Sequence, residues 1–267
     1  MSGIGVLPYF KGIAIDDIRA CNDGDVCIFF ICNELLANKP ASLEKAIYVD
    51  VGSHIGAWSL MIRRLTDEST VIHAYEPGSQ LWPQIQTRFK DDSNVIVHTY
   101  GLAATDSVNT LVYTGGGGHI CNEVDRIEAC TNIEDITLKQ FDLKEKIHIM
   151  KIDIDGFEHD LLPALYPCFE NQVDSLICEM NVFDFSKSKD VCEEKTLAIF
   201  KQMFGYFPYV YALSRRGAPF CVSLEESTIK SWFDEHYTTH LSTDVLFTHQ
   251  QIRSMLVMDY YPHTQFA

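Results

Sequence analysis

Asp153, Asp155, Glu158 and His159 crowd one short stretch, Lys151-Ile-Asp-Ile-Asp-Gly-Phe-Glu-His159. Carboxylates and an imidazole so spaced can take a proton from a hydroxyl that is about to act as a nucleophile. Carboxylate oxygens are also what hard divalent cations prefer. Glu179 and Asn181 end a later apolar run and add oxygens, so Asp153, Glu179 and Asn181 form a candidate site for Mg²⁺ or Mn²⁺. The alternative is a hydrogen-bonded carboxylate cluster with raised pKa values. Asp155 and His159 are candidate bases and Glu158 a candidate orienting group, although His159 taken alone reads first as a surface side chain.

Two further motifs precede this one. Asp50-Val-Gly52-Ser53-His54-Ile-Gly56 follows an apolar run and opens a helical pattern. Its glycines permit a tight turn and close backbone approach to a ligand, and amides at a helix start receive anions. The spacing G-x-x-x-G is neither the dinucleotide fingerprint nor a phosphate-binding loop; a tight turn without a ligand is the bland reading. About 20 residues on, Val71–Tyr75 ends in Glu76 and Pro77. A carboxylate there can accept both hydroxyls of an adenosine ribose.

The elements that must hold these groups alternate. Strands are expected at Ala46–Val51, Val71–Tyr75, Val95–Tyr100, Asn109–Tyr113, Ile147–Ile152, Val173–Met180, Phe207–Leu213 and Val245–Thr248. Helices are expected at Ala57–Leu65, Gln80–Phe89, Gly156–Leu165, Lys189–Phe204 and Glu225–His236, the first from its apolar stripe at helical period. This order predicts an α/β fold with a mostly parallel sheet, helices on both faces, and a ligand site beyond the carboxyl ends of the strands where strand order reverses. The motifs fall at those ends.

Together, Asp50-Val-Gly-x-x-Gly56, Tyr75-Glu76-Pro77 and Lys151-Ile-Asp153-Ile-Asp155-Gly-Phe-Glu158 resemble the FkbM family of S-adenosylmethionine-dependent methyltransferases. Thr137–Phe141 and the stretch from Asn94 to Asp106 are similar to segments of that family, and the resemblance covers residues 46–180. It implies a Rossmann-like, seven-stranded class I methyltransferase sheet and O-methylation of sugar hydroxyls in glycans or glycosylated metabolites. It implies that Asp50, Gly52, Ser53, His54 and Gly56 hold the methionine end of S-adenosylmethionine. Glu76 and Pro77 would hold the ribose, Gly101, Leu102, Ala103 and Asp106 the adenine side, and Asp153 the centre of the site. Ser53-His54 stands where the family usually has Ala-Asn, and Asp155 where it usually has Glu, one methylene longer. A small phenolic or polyketide hydroxyl is an alternative acceptor, and an inactive methyltransferase-fold interaction module an alternative of another class. An NAD-type oxidoreductase is disfavoured by the missing third glycine.

Lys and Arg total 21 against 37 Asp and Glu in 267 residues, a net charge of −16. That balance disfavours duplex nucleic acid and anionic membranes as main partners. The expected partner is a carbohydrate or glycoconjugate substrate. No basic leader precedes the first apolar run, no stretch is long enough to span a bilayer, and the nine cysteines show no paired spacing. A cytoplasmic chain with reduced thiols is expected. The division expected is an extension over 1–45 packed on the core, a catalytic domain over 46–250 and a tail over 251–267. Gly115–Gly118 and Arg215-Arg216-Gly217 read as loops.

Overall fold

The computed structural model describes residues 26–114, 117–120, 133–183, 187–214, 220–253 and 256–259. Gly115, Arg215, Arg216, Gly217 and most of the tail lie outside these. In chain order the elements are α1 (Val26–Ala37), β1 (Ile47–Val51), α2 (Ala57–Leu65), β2 (Ile72–Tyr75), α3 (Trp82–Arg88), β3 (Val95–His98), β4 (Gly101–Leu102), β5 (Ser107–Thr114), β6 (Gly117–Ile120) and β7 (Ile133–Lys139). There follow β8 (Ile147–Ile152), α4 (Glu158–Asn171), β9 (Val173–Met180), α5 (Lys189–Tyr206), β10 (Tyr209–Leu213), β11 (Phe220–Ser223), α6 (Ile229–Thr239), β12 (Thr243–Thr248) and β13 (Leu256–Asp259).

The main sheet has the order β13-β11-β10-β12-β9-β8-β1-β2-β3. The strands β3, β2, β1, β8 and β9 run parallel, and β12 is antiparallel to both β9 and β10. Every residue of β1 and β8 is buried, as parallel strands covered on both faces require. Side-chain alternation then divides the core. Val49, Val51, Met150 and Ile152 face α4, α5 and α6; Tyr48 and Ile149 face α1, α2 and α3. Ile31, Cys32 and Leu35 of α1 are fully buried in the second of these layers. Asp50 and Lys151 are charges set inside these apolar strands, partners in the β1–β8 register.

Among the described residues nine strands form the main sheet where seven are expected. The additional pair, β11 and β13, extends the edge beyond β10: Phe220–Ser223 folds back antiparallel on β10, and β13 joins it in parallel. A second sheet, β4-β7-β5-β6, forms where Asn109–Tyr113 is the one strand expected between β3 and β8. It stands between β3 and β8 in the chain and closes one side of the cavity described next. The six described cysteines are free thiols. Among the described residues no helix is long and apolar enough to cross a membrane.

Candidate functional site

The strand order reverses between β1 and β8, and a cavity of about 360 Å³ opens at their carboxyl ends. Its size suits a small-molecule ligand or cofactor. The turn after β1 forms one wall. Amides of Gly52 and Ser53 both donate to the Tyr75 carbonyl at 3.0 Å, and the Asp153 amide donates to Val51 at 3.0 Å, so β1, β2 and β8 are stapled together there. Gly52 has φ +76°, and a Cβ on it would collide with the Asp153 carbonyl. No other residue fits both the conformation and the space.

Asp50 is buried. Its Oδ2 accepts from the Ser59 amide at 3.2 Å and hydroxyl at 2.6 Å, satisfying a free donor in the first turn of α2. Burial pushes its carboxyl up, against the opposing pull of Lys151 and Ser59. Asp50 Oδ1, Ser53 Oγ and Trp58 Nε1 are buried without a hydrogen-bond partner among the described residues, and all three residues line the cavity. Such atoms are costly unless something completes them.

Glu76 ends β2. Its two oxygens each accept one backbone amide, from His54 at 2.8 Å and Gly78 at 2.7 Å. Each keeps a lone pair for a further donor. Burial pushes this carboxyl up to about 7, the backbone amides pulling the other way. Gly78 has no room for a Cβ beside the Tyr113 hydroxyl. Tyr113 in turn donates to Glu134, which also accepts from the Ser79 amide and hydroxyl. This chain of bonds fastens the second sheet to the Glu76 turn, with Leu111, Tyr113 and Leu138 facing the cavity.

Lys151 forms the floor, and Asp153 pairs with it from the more open side. Their ion pair is 2.6 Å, with the lysine side chain 8% exposed and the aspartate 39%. Burial opposes the ammonium charge, but Asp153 and Asp50 outweigh it and hold the lysine above its usual pKa. The chain then turns through Asp155 (φ 52°) and Gly156 (φ 101°). Asp153, Asp155 and Glu179 each bring an oxygen within 4.8 Å of the others.

Of the expected residues, Asp50, Gly52, Ser53, His54, Glu76, Pro77, Gly101, Leu102, Asp153 and Asp155 line the cavity. The others are placed differently. Gly56 abuts Phe89, so it serves helix packing. Ala103 is buried in the core of the second sheet. Asp106 is exposed and accepts from the Gln140 amide at 2.9 Å. Glu158 is fully buried beneath the turn, where its Oε1 accepts from the Ile154 and Gly156 amides; burial pushes it up to about 8. It shapes the loop that carries Asp155. His159 meets Thr196 of α5 at 3.1 Å, beside a separate cavity of about 30 Å³. Asn181 follows β9, and the carboxylates that converge with Asp153 are Asp155 and Glu179. Lys151, Trp58, Leu111, Tyr113 and Leu138 were not foreseen. Lys151 alone carried a readable signal, a charge inside an apolar strand.

The model of the methyltransferase FkbM domain matches residues 50–218, more than half of the chain. The chain belongs to this family. The FkbM match begins at Asp50 and includes the turn, Glu76, the second sheet and both carboxylate strands. "Methyltransferase 1" of Beauveria bassiana is 23% identical over 184 residues, 58% of this chain and 74% of that protein. Among solved structures, an FkbM methyltransferase of Methylobacillus flagellatus is similar at a TM-score of 0.45 and 15% identity over 76% of this chain; the match spans only 43% of that longer protein. Fibrillarin of Aeropyrum pernix, a structure with natively bound S-adenosyl-L-methionine, is similar at a TM-score of 0.41 and 9% identity, over 77% of this chain and 67% of that one.

Proposed function

We propose that this FkbM-family chain is an S-adenosylmethionine-dependent O-methyltransferase whose acceptor is a sugar hydroxyl of a glycan or glycoconjugate. One observation carries the cofactor reading: Asp50 Oδ1 and Ser53 Oγ, buried and unpartnered, share a cavity with the half-satisfied carboxylate of Glu76. Their donors and acceptors suit the cofactor's polar ends. Asp50 and Ser53 would receive the amino-acid end, Glu76 the ribose hydroxyls, and Leu102, Leu111 and Leu138 the flat base. When bound, S-adenosylmethionine supplies an electrophilic methyl group on a sulfonium.

The chain's own work is alignment and proton removal. Asp153 and Asp155 stand at the solvent side of the cavity, beyond the buried Glu76 and Asp50. A hydroxyl held there loses its proton to a carboxylate while its oxygen forms the new bond to carbon and the carbon–sulfur bond breaks. An aliphatic hydroxyl needs this help more than a phenol does, and the family's association with sugar hydroxyls favours it as acceptor. A divalent cation on Asp153, Asp155 and Glu179 is a second reading, supported by the convergence of three carboxylates.

The test is methyl transfer from labelled S-adenosylmethionine to a panel of glycans, glycosylated metabolites and simple phenols. Label incorporated into sugar hydroxyls, and lost in Asp153→Asn, is expected. Incorporation only into phenols, or an unchanged rate in Asp153→Asn, contradicts the acceptor or the residue assignment respectively.

A further inference from the structure

Lys151 stands where a charge is expensive. It lies one residue from the end of β8, directly in register with Asp50, at the point where strand order reverses. Strand alternation sets Asp50, Lys151, Glu179 and Asp244 on one face of the sheet, and Glu179 is in register with Asp244. The ammonium reaches Asp153 at 2.6 Å. Asp50 is also buried, with one oxygen bound to Ser59 and the other unpartnered. The cavity floor is therefore a buried cation held between a buried carboxylate, Asp50, and a second one, Asp153, that opens toward solvent.

A packing role does not explain this arrangement. Replacing a buried ion pair with apolar side chains is often neutral or stabilising, so a charge kept here has an electrostatic consequence for whatever occupies the cavity. We propose that Lys151 is a positioning residue that sets the cavity's preference between the positively charged sulfonium cofactor and its neutral thioether product, while holding the Asp153 carboxylate in place. The inference rests on the cofactor reading above. A buried cation in the wall raises the free energy of a cationic ligand and leaves a neutral one nearly untouched. That penalty relaxes as positive charge leaves the sulfur, so the same charge favours transfer over simple binding. The acids around Lys151 attract the cofactor; Lys151 keeps that attraction from being spent on ground-state binding.

The test compares the affinities of S-adenosylmethionine and S-adenosylhomocysteine by calorimetry at one pH and salt concentration. Wild type, Lys151→Met, Lys151→Gln and Lys151→Arg are measured. In the two neutral variants the ratio of cofactor to product affinity is expected to rise about tenfold. That is the order of effect a unit charge exerts across a half-buried site. Turnover should fall in both. Lys151→Arg, which keeps the charge, should hold the ratio within about twofold of wild type whatever it does to turnover. Equal weakening of both ligands, or an unchanged ratio in a folded neutral variant, overturns the inference and leaves a structural role. If Lys151→Met fails to fold, Lys151→Gln, which retains a polar head for Asp153, gives the same reading. Wild type that binds neither ligand defeats the cofactor reading instead; wild type that binds both, with a ratio blind to the charge, defeats this inference alone.

Discussion

Gly52→Ala isolates the link between the first turn and the end of β8. Gly52 and Gly56 both have φ +76°, so alanine at either position carries the same left-handed backbone cost of about 1–2 kcal/mol. The obstacles differ. At position 56 the new methyl lies 2.8 Å from the edge of the Phe89 ring, a side chain rather than main chain. At position 52 it overlaps the Asp153 carbonyl oxygen and lies 2.9 Å from the carbonyl carbon, so a main chain must move. Overpacking of this kind adds about 1–3 kcal/mol. Gly52→Ala should therefore lose about 2–5 kcal/mol, and Gly56→Ala toward the lower end of that range or less. For a chain of this size the larger loss is a fall in Tm on the order of 5–15 °C. The movement also displaces Asp153 from Lys151, so Gly52→Ala should lose cofactor affinity as well, while Gly56→Ala, outside the cavity lining, keeps it. Urea unfolding followed by circular dichroism, with calorimetry on the folded protein, reads both effects. A Gly52→Ala protein with wild-type stability and affinity, or two variants that behave alike, would refute the reasoning.

Other outcomes follow from the site and from the core. Because burial raises Glu76 to about 7, and the ribose hydroxyls must donate to its ionised form, cofactor affinity should weaken as pH falls through 7; Glu76→Gln should bind more weakly and lose that dependence in calorimetry from pH 5.5 to 8.5. His148 is fully buried between Tyr48 and Gln250, and burial lowers it to about 3. Its neutral form stabilises the fold above its unfolded value of about 6.5, and that contribution is lost as pH falls from there toward 3. Denaturant midpoints should drop over that interval, less steeply in His148→Gln. If a divalent cation serves the three carboxylates, chelation should abolish turnover and Mn²⁺ restore it, with Asp155→Asn losing the response; full activity in excess chelator excludes the cation.

The sequence exposed those parts of the site that depend on local chain chemistry. A buried strand, an acid, two glycines and a helix announce the turn from Asp50 to Gly56, and a carboxylate before a proline announces Glu76. The wall of the second sheet was hidden because it depends on long-range pairing: Gly101 and Leu102 join β7 at Leu138 and Lys139, and β5 pairs with β7 across a long stretch of chain. Glu158 and His159 lie away from the cavity for a different reason. A single stretch can list four polar groups, but the left-handed turn at Asp155 and Gly156 sends their side chains apart. Asp155 stays at the rim, Glu158 goes beneath it and His159 toward α5. Strand β11 escaped because a four-residue strand carries little periodic signal. Lys151 was in view as part of a motif, but its function depends on its neighbour in register, which no linear reading supplies.

Calorimetric titration of the wild-type chain with S-adenosylmethionine, repeated on Glu76→Ala, tests the central claim most directly. Saturable one-to-one binding, weakened at least about tenfold by loss of the ribose acceptor, is the predicted result. No binding by wild type, or binding of equal strength in Glu76→Ala, would contradict it.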